Sequence, residues 1–204
     1  MSFTLWFTGL SGAGKTILSR KVFFELRERG LKGEHLDGDI IRANFSQELG
    51  FSQRDRDINV RRIGFVSHLL NKHGVISVVA VIAPYAAARR QNRQLIENYV
   101  EVFVHCPLSV AESRDVKGLY AKARAGVIPN FTGVSDPYEE PVEPDLEVRT
   151  DLNSVDECYA QIIDHLESRG LVPRKPDCRP CLTVAEEERA WREHLASLGY
   201  AILK

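Results

Sequence analysis

Apolar positions along this chain fall into two alternating rhythms: short unbroken runs, and longer stretches spaced three and four apart. Residues 2–8 (SFTLWFT) form a run of the first kind and predict a buried strand. After Gly14, the residues Ile17, Leu18, Val22, Phe23 and Leu26 sit at helical spacing until Gly30 stops them. A second short strand is predicted at 33–36. A helix follows over 54–72, with Ile58, Ile63, Val66, Leu69 and Leu70 facing inward until Gly74. The run VISVVAVIA at 75–83 has no polar alternation, as expected of a parallel strand covered on both faces, and is placed at the middle of the sheet. Helices at 87–97, 108–114 and 155–166 and strands at 100–105 and 146–148 continue the alternation. Together they predict an α/β fold, a parallel sheet with helices on both faces. Residues 117–138 are rich in Gly, Lys and Arg and lose clean periodicity, which predicts a mobile lid. The division expected is a catalytic domain over 1–170, and a linker and helix over 171–204 packed on the domain or on a partner subunit. Trp191, Leu195 and Leu198 share one face of that last helix.

With 204 residues, 44% of them hydrophobic, the chain can bury a full core. Its 27 basic and 28 acidic residues nearly cancel, so no overall field favours nucleic acid or a membrane surface, and any anion site must be local. No apolar run reaches the roughly 18 residues of a membrane-crossing helix. The four cysteines, at 106, 158, 178 and 181, are too scattered for a disulfide framework, and a soluble cytoplasmic protein is expected. Cys178 and Cys181 form a lone C-x-x-C without a second pair, a weak signal for zinc or redox chemistry.

The strongest chemical signal is Gly9-Leu10-Ser11-Gly12-Ala13-Gly14-Lys15-Thr16, which fits G-x-x-x-x-G-K-[ST] between a predicted strand and a predicted helix. Such a P-loop turns backbone N–H groups toward phosphate oxygens at a helix N-terminus. Lys15 reaches the β and γ phosphates, and the Thr16 hydroxyl can ligate Mg²⁺. The fold is therefore of the P-loop NTPase type, with ATP as co-substrate and Mg²⁺ as the expected metal. The buried run at 75–83 ends without a carboxylate, so Asp37 and Asp39, after the second strand, are the candidates to accept a hydroxyl proton or hold the metal. Arg56 and Asn59, three apart on one helical face, can either grip an anionic ligand or belong to a solvated charged face.

The segments GLSGAGKT, LDGD with Arg42 following, FSQRDRDINVRRIG and PLSVAESRDVKGLYAKARAGVIPNFTGVSDPYE, in this order between Phe3 and Leu166, resemble adenylylsulfate kinase (APS kinase). The resemblance implies transfer of the ATP γ-phosphate to the 3′-hydroxyl of adenosine 5′-phosphosulfate (APS), yielding PAPS, the activated sulfate donor. It places Asp39 at the 3′-hydroxyl as base or metal partner, with Thr16 as the other metal ligand. Arg42, Arg56 and Asn59 would hold the phosphosulfate end and ribose, and Phe51 and Phe131 would sandwich the adenine. Lys117 and Thr132 would add contacts from the lid, and Ile82 and Ala83 backbone groups at the mouth of the sheet. A homodimer and a functional link to ATP sulfurylase are also implied. The family commonly reads Ser-Pro-Tyr-Arg where this chain has Ala83-Pro84-Tyr85-Ala86, which removes a phosphorylatable serine and a cation that Arg89 or Arg90 would have to replace. The alternative is a nucleotide-binding regulatory paralogue with little or no turnover.

Overall fold

A computed structural model describes residues 2–174 and 184–197. Five strands, β1 (Thr4–Thr8), β2 (Gly33–Asp37), β3 (Ile76–Ala80), β4 (Tyr99–His105) and β5 (Leu146–Arg149), form one sheet in the order β2-β3-β1-β4-β5. Every pairing is parallel. The middle position belongs to β1, with β3 one place toward the β2 edge. Both are buried throughout, and burial is what an unbroken apolar run reports.

Covering the sheet are α1 (Lys15–Glu28), α2 (Gly38–Phe45), α3 (Gln53–Lys72), α4 (Ala86–Leu95), α5 (Leu108–Arg114), α6 (Leu119–Arg124), α7 (Val155–Ser168) and α8 (Val184–Ser197). The two faces separate by residue parity. Phe3, Leu5 and Phe7 join Leu18, Val22, Ile162 and Leu166 from α1 and α7 in one apolar cluster. Trp6 points oppositely and joins Val60, Ile63 and Ala88 from α3 and α4 in the other. Each fully buried side chain of this size contributes about 1.5–3 kcal/mol relative to exposure.

The helix over 54–72 was expected to turn Ile58, Leu69 and Leu70 inward. Its buried positions are instead Arg56, Asn59, Val60, Ile63, Gly64 and Ser67, and Leu69 is exposed. Small residues at 64 and 67 let the helix lie close to the sheet and α4, and the polar pair at 56 and 59 is buried by the site rather than by the core. Two short helices went unpredicted. In α2 none of the eight residues is buried, and Ile40 and Ile41 pack only partly against the two clusters, too short a run to show a helical period, and α6 has six residues inside the lid.

The last helix lies against α1. Trp191 is buried, edge-on to His35 at 4.7 Å, with the Arg20 guanidinium 4.3 Å from its ring centroid. His35 shares a 2.8 Å hydrogen bond with Ser19 through Nε2, and burial pushes its pKa down to about 3, so the ring stays neutral in this apolar setting. The C-x-x-C pair and Leu198 lie outside the described residues.

The close approach of α3 to α4 at Gly64 generates a stability prediction. A Cβ on Gly64 would stand 2.0 Å from Asn92 Oδ1, and Asn92 is buried with its amide bonded to the Val60 carbonyl. Gly64→Ala is expected to cost about 1–3 kcal/mol, measured by urea unfolding. An unchanged midpoint would show that α4 moves away freely.

Candidate active site

The site is built where β1 runs out. Gly9 follows Thr8 with φ +147°, and a Cβ there would lie 2.4 Å from the Val104 carbonyl oxygen of β4, so the turn requires glycine. Gly14, at φ +98°, caps α1 without a side-chain hydrogen bond, and no acidic residue occupies the first turn of that helix. The unsatisfied N–H groups of the turn, with the positive end of the helix dipole, therefore face the loop. Thr150 Oγ1 donates to the Ala13 carbonyl at 2.9 Å and Tyr120 Oη to the Ser11 carbonyl at 2.9 Å, pulling carbonyls outward. Lys15 is buried and donates to the carbonyls of Gly9 (2.9 Å) and Leu10 (2.7 Å). Burial, followed by the nearby Lys117 charge, pushes its pKa down to about 8. A cradle of N–H donors with a desolvated ammonium is made for a polyphosphate.

Two carboxylates stand beside it. Asp37 ends β2 and caps α2, accepting from the Asp39 N–H at 2.9 Å, while its other oxygen accepts from Thr16 Oγ1 at 3.2 Å. Asp39, in the first turn of α2, is exposed and pairs with Lys117 of the lid. The sequence left Asp37 and Asp39 open as metal partners and the family resemblance favoured Asp39. The carboxylate in contact with Thr16 is Asp37. A hydroxyl and a carboxylate at this separation are hard oxygen donors of the kind Mg²⁺ takes beside substrate phosphates. Among the described residues no cluster of three or more His, Cys, Asp or Glu side chains could hold a metal by itself.

On the opposite wall, the Phe51 ring is half exposed, 4.6 Å from the Arg42 guanidinium and 5.5 Å from that of Arg56. Arg42 donates to the carbonyls of Leu49 and Gly50. Phe131 is buried with Tyr120 edge-on at 5.0 Å. The two phenylalanines are joined through Arg56, whose Nε donates to the Phe51 carbonyl at 3.0 Å and whose Nη2 donates to the Asn130 carbonyl at 2.7 Å. Asn59 Oδ1 and Thr132 Oγ1 are buried without a hydrogen-bond partner, the kind of atom a bound ligand or water satisfies.

Beyond β3 the carbonyls of Ile82 and Ala83 are already engaged, by Thr8 Oγ1 and Arg89 Nη1, both at 2.6 Å. Ala83 adopts φ +46°, a left-handed conformation that costs a non-glycine residue roughly 1–2 kcal/mol. Arg89 does not stand in for the missing cation at 86. It is buried, paired with Glu101 at 3.2 Å, and also donates to the Glu139 carbonyl at 2.6 Å. The N–H of Ala86, at the start of α4, donates instead to the Glu139 carboxylate at 2.7 Å.

The segment over 117–138 divides in two. Its second half is fastened to the wall: Tyr138 meets Thr8 at 2.9 Å, Tyr85 Oη donates to Asp136 at 2.5 Å, and the Glu139 N–H donates to the Pro84 carbonyl at 2.8 Å. Sequence reading missed Asp37 as the partner of Thr16, and also Tyr85, Thr150, Asp136 and Glu139. The last two sit in a Gly-Val-Ser-Asp-Pro-Tyr-Glu stretch that reads only as a turn.

Comparison with known proteins gives the chain its family. Residues 1–149 match the family model described as adenylylsulphate kinase. The adenylyl-sulfate kinase of Halothermothrix orenii is 52% identical over 169 residues, 83% of this chain and 91% of the relative. That of Synechococcus sp. strain JA-3-3Ab is 56% identical over 167 residues, 82% and 95% of the two chains. A solved structure of the Mycobacterium tuberculosis APS kinase CysC in complex with AMPPNP and APS superposes with a TM-score of 0.78 at 44% identity, covering 81% of this chain and 98% of that one.

The depressed Lys15 pKa carries a sign. Phosphate oxygens favour the ammonium and raise its pKa on binding, so above pH 8 binding must take up a proton. Nucleotide affinity is expected to fall as pH rises from 8 to 9.5, approaching tenfold per unit. Calorimetry in two buffers of different ionisation enthalpy checks this, and a flat profile without proton uptake would refute it.

Proposed function

We propose how these residues carry out the reaction from the premise that the chain belongs to the adenylylsulfate kinase family. The protein transfers the γ-phosphate of ATP to the 3′-hydroxyl of APS, producing PAPS. The observation that carries the assignment of roles is the convergence of three charges at the mouth of the sheet. Lys117 of the lid pairs with Asp39, and its charge also acts on Lys15.

In this reading the P-loop N–H groups bind the ATP phosphates, and Lys15 leaves the Gly9 and Leu10 carbonyls to neutralise charge on the transferring group. Asp39 orients the 3′-hydroxyl and accepts its proton. Thr16 and Asp37 would hold Mg²⁺, which would neutralise phosphate charge during the transfer. On the acceptor side, Phe51 and Phe131 flank the adenine, and the orphaned oxygens of Asn59 and Thr132 find ligand partners. Arg42 and Arg56 supply positive potential for the phosphosulfate group. Lys117 exchanges Asp39 for substrate oxygens as the lid closes, excluding water that would hydrolyse ATP. The absence of serine at 83 is compatible with direct in-line transfer, which needs an aligned hydroxyl and stabilised charge rather than a protein phosphate.

The surroundings of the reaction belong to the same reading. APS must come from a reaction that adenylates sulfate, the step of an ATP sulfurylase. Cys106 and Cys158 are free thiols, in keeping with a reducing cytoplasm. No helix among the described residues is long and apolar enough to cross a membrane. A homodimer is supported by the outward face of α3, where Phe65 and Leu69 are 54% and 42% exposed one turn apart. Replacing both with Asp is expected to leave the far-ultraviolet spectrum intact and to yield monomers by sedimentation, and unchanged sedimentation would remove this surface from the dimer.

The reaction is tested by a coupled assay of the purified chain with Mg²⁺-ATP and APS. PAPS formation is expected, and Asp39→Ala should lower kcat by about 100-fold or more. Binding of both nucleotides with no product from the unaltered chain would instead favour the regulatory paralogue.

A further inference from the structure

Arg56 is nine-tenths buried, yet two of its three guanidinium nitrogens are spent on backbone carbonyls, those of Phe51 and Asn130. A guanidinium cannot give up its charge, so its burial calls for a counter-charge. That charge is Asp136, whose Oδ2 lies 3.9 Å from Arg56 Nε and which is the first attractive influence on it. The same oxygen accepts from Tyr85 Oη at 2.5 Å. Tyr85 is itself buried and follows the strained Ala83 by two residues.

The backbone of Asp136 closes the turn that carries Phe131. Its N–H donates to the Phe131 carbonyl at 3.1 Å, and its carbonyl accepts from the Gly133 N–H at 2.7 Å. Ser135, its neighbour, accepts from the Phe131 N–H at 2.9 Å. One residue thus joins three pieces of chain that share no sequence proximity: the start of α3 with Phe51, the 82–85 segment beyond β3, and the Phe131 turn. These are the three walls assigned above to the acceptor nucleotide. None of the contacts involves the P-loop.

We propose that Asp136 is a positioning residue for the acceptor nucleotide, setting the spacing between Phe51 and Phe131 by holding Arg56 and Tyr85 against the Phe131 turn. The inference rests on the kinase reading and deepens it, because it assigns a determinant of APS affinity to a residue that need not touch APS. The acceptor pocket is held open at its working width before substrate arrives, so the ordering is not repeated at each binding event.

The test compares Asp136→Ala, Asp136→Asn and Tyr85→Phe with the unaltered chain in the coupled assay, with KM determined separately for APS and for ATP. Asp136→Ala is expected to raise KM for APS about tenfold, the scale of one lost hydrogen bond to a charged group. KM for ATP should stay within about twofold, because the P-loop is held by Thr150 and Tyr120 instead. Asp136→Asn keeps an acceptor for Tyr85 and should recover part of the loss. Tyr85→Phe in the Asp136→Ala background should add little, since both changes break the same bond. An unchanged KM for APS, or equal rises in both KM values with a lowered melting temperature, would overturn the positioning role. If the unaltered chain itself forms no PAPS, the kinase reading fails and this proposal falls with it; normal turnover with an unperturbed Asp136→Ala variant sinks the positioning role alone.

Discussion

Gly9 comes so near the Val104 carbonyl of the neighbouring strand that the β1 turn can be made in only one way, and the rest of the site follows from that turn. The chain leaves the middle strand, doubles back into α1, and presents the N-terminus of that helix at the carboxyl edge of the sheet. Because β1 is flanked on both sides by parallel strands, the other strands end at the same edge. Asp37 arrives there from β2, Ile82 and Ala83 from β3, and Thr150 from β5. A parallel sheet thus gathers at one rim residues separated by more than a hundred positions, and the crevice outside the strand ends becomes the ligand site.

Buried arginines then fix the walls of that crevice. Arg56 and Arg89 each satisfy two backbone carbonyls and lie near one carboxylate, Asp136 and Glu101 respectively. Burying a charge costs several kcal/mol unless it is paired and hydrogen-bonded, so each side chain is held in one geometry and holds its partners likewise. The left-handed Ala83 persists because Arg89 grips its carbonyl from one side while Tyr85 is anchored two residues later. Cations that a sequence reading assigns to substrate are therefore partly or wholly engaged in shaping the cavity. Arg42 likewise donates to two carbonyls but is less buried, and Lys117 is exposed beside Asp39.

The lid is the complementary case. Its first half, around α6, carries exposed charge: the exposed Lys117–Asp39 pair is worth about 1 kcal/mol or less, while the buried Tyr120 ties the helix to the Ser11 carbonyl of the P-loop. Its second half is fastened by several hydrogen bonds to the β1 and β3 ends. Phe131 thus belongs to the part of the segment that is fastened to the body of the protein.

Periodicity along the chain was enough to locate the five strands and the five longest helices, because burial on one or both faces leaves an apolar rhythm that needs no partner to be recognised. The P-loop was legible for a related reason: its chemistry is carried by backbone N–H groups and contiguous residues, so spacing is geometry. What the sequence could not settle was every choice that depends on distant partners. Asp37 and Asp39 look alike in an Asp-Gly-Asp stretch until Thr16 comes into contact with one and Lys117 with the other. Arg89 looks like a spare cation until Glu101 and two carbonyls close around it, and Asp136 is only a turn residue until Tyr85 and Arg56 arrive from 51 and 80 positions away. The sequence by itself determined the fold class and the phosphate site, which are local in the chain, and only the tertiary structure decided which charges bind and which merely hold, because a charge takes its role from the partners that burial forces upon it.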